Sequence, residues 1–182
     1  MGSNSKSFLY FFAALSAIGL ALSVVSHVAS LLGALGPLGR YSFALHVGVF
    51  IVWGPAVLVT QQLAKDASRG EVWKIVLRGC PAWMKYMTYG LVAYAILNFA
   101  LYMYREPKPG APDGMSPRDV RGFSGHWMVF YSAALAILYS AAKVREQGGV
   151  RRCPNGHAVA ELAKFCSQCG QPVGLSQPQF RL

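Results

Sequence analysis

The sequence predicts an all-α membrane protein, a bundle of four transmembrane helices followed by a small cysteine-bearing tail. Three observations carry this. First, 54% of the residues are hydrophobic and 13% are charged, about half the charged share of an ordinary soluble domain, which is about 25%. Second, the apolar residues are gathered into four runs long enough to cross a bilayer. Third, three of the four cysteines fall between Cys153 and Cys169, beyond the last run.

The first run, residues 8–32, carries no charge. At ~1.5 Å per residue it exceeds the ~30 Å hydrocarbon core. Lys6 precedes it as in a secretory leader, but the run is longer than the apolar region of such a leader, so a retained first helix is expected. Gly33 to Gly39 is a turn rich in glycine with Pro37 inside it. The second run spans 41–63, and Pro55 is expected to kink it because its nitrogen has no hydrogen to donate. Residues 64–82 form a loop with Lys65, Arg69, Lys74 and Arg78. Within it, Glu71 to Leu77 reads as a short interfacial helix, with Trp73 and Trp83 at headgroup level.

The third run spans 84–104, interrupted by Lys85 and Asn98. Residues 105–122 are polar and contain four prolines. At their end, Ser116-Pro117-Arg118-Asp119 reads as a helix start, with serine as cap, proline at the first helical position and an acid in the first turn. The fourth run, 123–142, ends at Lys143 and Arg145. Residues 1–145 are therefore the transmembrane domain, Gly148-Gly149 a linker, 150–174 a second unit and 175–182 a loose tail.

The second unit contains Cys153-Pro-Asn-Gly-His157 and Cys166-Ser-Gln-Cys169-Gly170. Three thiolates and an imidazole at these spacings are the ligand set that zinc takes in a tetrahedron. About twenty residues cannot bury a core, so the fold of this unit would depend on the metal. Protein side chains fill every position, which points to structural zinc with no catalytic residue attached. Arg151, Arg152 and Lys164 would offset the charge of the thiolates. Residues 152–173 resemble the short zinc-ribbon modules appended to bacterial membrane proteins. They depart from the common four-cysteine pattern at His157. The resemblance implies a bacterial inner membrane protein. Cys80 stands alone in the loop, with no partner expected.

A second constellation lies in the spans. His27 and His46 sit at similar distances from the turn between the first two helices. His126 opens the fourth run, and Asn98 lies near the end of the third. Each helix thus places one polar group in the same third of the bilayer. Three readings stand: hydrogen bonding between helices, a haem b or metal site, and a proton or small-ligand pocket. A four-helix membrane bundle with histidine ligands is similar to membrane cytochromes of the haem b type. The histidines those proteins pair on one helix are missing, so the similarity implies one haem at most.

The net charge of +10 would suggest nucleic acid for a soluble protein. Here no basic patch with interleaved aromatics occurs, and membrane lipid and other membrane or cytoplasmic protein subunits are the expected partners. The expected function is a non-catalytic membrane subunit or adaptor whose zinc ribbon docks a partner. The alternative is an electron-carrying subunit that binds one haem b, or a metal, through these histidines. With both termini inside, 12 lysines and arginines lie on inner segments and 5 on outer ones. That bias obeys the positive-inside rule, and thiolate ligands also belong in a reducing compartment. Both termini should therefore be cytoplasmic. Topology reporters fused after Gly110 and Leu175 should report external and cytoplasmic locations respectively, and the reverse pattern would invert the arrangement.

Overall fold

The computed structural model describes residues 3–36, 38–64, 67–68, 70–104, 115–147, 153–157, 159 and 163–173. Pro37, Lys65, Arg69, the stretch 105–114, Gly148-Gly149, Arg151, Arg152 and the tail 175–182 lie outside the described residues. The chain forms two compact units, residues 1–144 and 145–182. Five helices follow in order: α1 (Ser3–Leu31), α2 (Leu38–Leu63), α3 (Val72–Val76), α4 (Ala82–Tyr104) and α5 (Pro117–Gln147). Except for α3, all are long and apolar enough to cross a membrane.

Helices run past the apolar segments that predict them. The clearest case is α5, which begins at Pro117, where the Ser116–Asp119 signal predicts a helix start, ahead of the apolar run that opens at Phe123. The cause is its cap. The Asp119 amide donates to Ser116 Oγ at 3.2 Å, and the Asp119 carboxylate accepts from the Ser116 amide at 3.3 Å and its hydroxyl at 2.7 Å. This reciprocal box satisfies donors that the first turn leaves open, so the helix starts inside a polar segment. At the other extreme, α2 continues through Pro55, where the proline leaves the Ile51 carbonyl without its helical donor. The C-terminus of α1 closes with paired bonds from Gly33 N–H to Ser30 O at 3.4 Å and Ala34 N–H to Ala29 O at 2.9 Å, the arrangement that returns a chain sharply after a helix.

The bundle is organised around α5. Its membrane-length window is 72% buried, against 28% in α1, 22% in α2 and 17% in α4. Large apolar side chains on the other three point outward, among them Phe11, Ile18, Phe50, Leu58, Ile96 and Leu97. Such an exterior suits hydrocarbon better than water. Beyond Leu9, the inward face of α1 is made of small or polar residues at helical spacing: Ala13, Ser16, Gly19, Ser23, His27 and Ser30. The hydroxyls of Ser16, Ser23 and Ser30 bond to carbonyls of their own helix at 2.6–2.7 Å, which satisfies them without a partner helix. Small inward residues let backbones approach. Tyr131 of α5 uses this space: its ring lies against Gly19 of α1, its hydroxyl lies against Gly48 of α2, and it donates to Leu45 O of α2 at 2.9 Å. A side chain at Gly19 or Gly48 would strike it.

The α3 segment is pinned to the same helix. Val76 and Leu77 are buried. The Gly79 amide donates to Ser140 Oγ at 2.9 Å, and the Cys80 thiol donates to Ala136 O at 3.0 Å. Cys80 is a free thiol, as expected, and it is buried with its proton on an α5 carbonyl because the loop folds back onto that helix. A β-carbon on Gly79 would lie 2.6 Å from Ser140 O, a backbone atom that cannot swing aside. Gly79→Ala should lower stability by about 1–3 kcal/mol through overpacking. Thermal unfolding in detergent would show it as a reduced Tm, and an unchanged Tm would mean the loop is not docked.

Candidate metal centre

The second unit is two tight turns facing each other. In the first, Gly156 N–H donates to Cys153 O at 2.8 Å and Cys153 N–H to His157 O at 3.0 Å. In the second, Gly170 N–H donates to Cys166 O at 2.8 Å and Cys166 N–H to Gln171 O at 2.8 Å. Gly156 and Gly170 have φ of 81° and 69°, a left-handed conformation that strains residues with a β-carbon. An isolated bridge pairs Phe165 with Pro172. Among the described residues of the unit, this one rung is the only strand pairing. Val159, Ala163 and Val173 pack around the cysteines, too few to hold the unit alone.

These turns bring Cys153, His157, Cys166 and Cys169 together, with ligand atoms all within 4.8 Å of one another. Cys153 Sγ lies 3.6 Å from Cys169 Sγ and 3.5 Å from His157 Nδ1, and Cys166 Sγ lies 3.8 Å from that nitrogen. The edges of a tetrahedron with zinc bond lengths are about 3.8 Å between sulfurs and about 3.6 Å between sulfur and nitrogen. The group could hold a metal ion, and its donors and spacing are compatible with zinc. His157 takes its place through Nδ1, despite standing where a cysteine is more common. Burial alone would raise the Cys166 thiol. Amide donors from Gln168 and Cys169, then the Cys169 and Cys153 thiols, outweigh burial and bring it down to about 6. A thiol already inclined to lose its proton is a ready ligand.

The polar residues of the spans have other duties. His27 Nδ1 pairs with Ser124 Oγ of α5 at 2.6 Å, and its Nε2 pairs with the Tyr94 hydroxyl of α4. Ser124 also donates to Arg121 O at 3.1 Å. With the serine proton used there, the imidazole donates from Nδ1 and accepts at Nε2. His46 Nδ1 accepts from Trp127 Nε1 at 3.2 Å. Asn98 Nδ2 donates to Arg121 O at 2.7 Å, tying α4 to α5. The His126 ring meets Phe99 edge-on at 5.0 Å, and its Nδ1 is buried with no hydrogen-bond partner among the described residues. Phe123 touches the rings of both His46 and His126.

His27, His46 and Asn98 each join α5 to a different helix. Among the described residues, the tail is the one group of three or more His, Cys, Asp or Glu side chains placed to hold a metal. His27 has both nitrogens engaged within the bundle, and the Phe123 ring adjoins both His46 and His126. The partners Tyr94 and Trp127 look in sequence like interfacial aromatics. Tyr94 lies one turn before Asn98, the spacing that could have placed both on one face. Comparison of the chain with protein-family models, with curated proteins and with solved structures finds no match in any of the three.

The four thiols should separate by chemistry. Burial pushes the Cys80 thiol up to about 11, only partly offset by the Lys85 charge and bonds from Ser140. A maleimide added to chelator-treated native protein at about pH 8 should modify Cys153, Cys166 and Cys169 and spare Cys80 until the protein is denatured. Modification of Cys80 before denaturation, read by peptide mass, would contradict its burial.

Proposed function

We propose that this protein is a membrane adaptor: a four-span bundle that displays a structural zinc ribbon in the cytoplasm as a docking module for another protein subunit. One observation carries the reading. All four corners of the metal centre are filled by side chains of the chain itself, which leaves no corner for substrate or water, as in structural rather than catalytic zinc sites. Zinc there supplies folding energy to a unit with almost no core. The positive-inside bias supports placing the ribbon in the cytoplasm of a bacterial inner membrane protein. Phe165 is 62% exposed next to the exposed Lys164. An aromatic ring held out from a rigid turn is the kind of anchor that partner surfaces bury.

Full-length protein purified in neutral detergent should carry about one zinc per chain by elemental analysis. Cys166→Ser should lower zinc affinity by about 100-fold or more, since the remaining ligands leave the tetrahedron open. Affinity should also fall as pH drops, because protons compete for the thiolates. Zinc content unchanged in Cys166→Ser would remove the site. A subunit that copurifies from native membranes with wild type and is lost in Phe165→Ala, with zinc retained, would establish docking.

A further inference from the structure

The second unit carries an apolar face that its own fold leaves uncovered. At its rung, Phe165 is paired with Pro172, and residues opposed in this way put their side chains on the same side of the strands. Their neighbours Cys166 and Val173 turn to the other side and are 2% and 8% exposed, so the metal centre lies behind the rung. Phe165 and Pro172 are exposed, and so is Lys164 beside them.

Two features say what covers this face. One is the tether. Residues 148–152 alone separate Gln147, the end of α5, from Cys153, and that length of chain reaches at most about 22 Å. Lys143 and Arg145 close the apolar run at headgroup level. A ribbon on so short a leash meets headgroups at high effective concentration. The other feature is charge. Apart from the metal ligands, the charged side chains of residues 148–182 are Arg151, Arg152, Lys164 and Arg181 against Glu161. Zinc offsets two of the three thiolate charges, so the loaded unit stays positive.

We propose that this face rests on the anionic leaflet of the membrane that the bundle crosses. Phe165 and Pro172 enter the headgroup layer, and Lys164 meets phospholipid phosphate. A small apolar anchor joined to basic residues gives reversible binding rather than permanent insertion. A docking subunit must then lift Phe165 off the lipid, so the leaflet competes with the partner for one ring and sets a threshold for docking. The inference rests on the zinc ribbon and on the membrane-spanning bundle. It needs no docking subunit, and the purified chain suffices to test it.

The test is amide hydrogen exchange of the full-length, zinc-loaded protein in lipid nanodiscs, one chain per disc, read by mass spectrometry on peptides covering residues 163–173. Discs containing phosphatidylglycerol are compared with discs of phosphatidylcholine alone and with neutral detergent. In phosphatidylglycerol discs this stretch should exchange about threefold or more slowly than in phosphatidylcholine discs. About 1 M salt should remove the difference by screening. Phe165→Ala and Lys164→Glu, each with zinc content unchanged, should each abolish it. Equal exchange in the two kinds of disc overturns the proposal, as does protection that survives both substitutions. Protection already present in neutral detergent overturns it in favour of a contact within the protein. A chain without zinc, or one that does not enter the discs, overturns the ribbon or the membrane reading beneath it.

Discussion

A polar group surrounded by hydrocarbon has no water to bond with and must find its partner in the protein. In this chain that constraint is met on one helix. The imidazoles of His27 and His46, the amide of Asn98, the thiol of Cys80 and the amide of Gly79 all bond to α5. Apolar packing between helices gains little when the surrounding lipid is as apolar as the side chains. What distinguishes the right arrangement from others is therefore directional: a hydrogen bond satisfied or not, a notch filled or not. Tyr131 meets both conditions, with its ring against Gly19 and its hydroxyl on Leu45.

The second unit obeys a different rule. It has a handful of buried apolar residues and four ligand atoms facing one point. Removing a methyl from the bundle costs packing; removing one sulfur from the tail removes the reason for its fold. The two parts of the chain should therefore lose structure under different conditions, chelation for one and detergent or heat for the other.

Much of this was legible in the sequence. Runs without charge identify spans because few residues contradict them, and Cys-x2-Cys with a second knuckle identifies a metal centre because the spacing is set by the ion. The Ser116 cap was readable too, and α5 starts there, ahead of the apolar run it carries. Hydropathy marks where lipid contact begins, whereas a helix begins where its amides are satisfied. What the sequence did not show was rotation. His27, His46 and His126 share a depth by counting, but depth says nothing about which face they occupy. Each is claimed by a different neighbour: Tyr94 and Ser124, Trp127, and Phe99. Nor did the least apolar of the long helices announce itself as the core. In water the most apolar helix is buried; in a bilayer the helix with most small and polar residues is.

The central position of α5 has a consequence for biogenesis. It leaves the ribosome after α1, α2 and α4. Until then α1, α2 and α4 stand without the α5 partners of His27, His46 and Asn98 and with the cleft for Tyr131 empty. Three helices must wait for the one that joins them. The nascent chain is thus most exposed to quality-control proteases just before α5 emerges, and arrest upstream of residue 117 would leave an open cage rather than a smaller bundle.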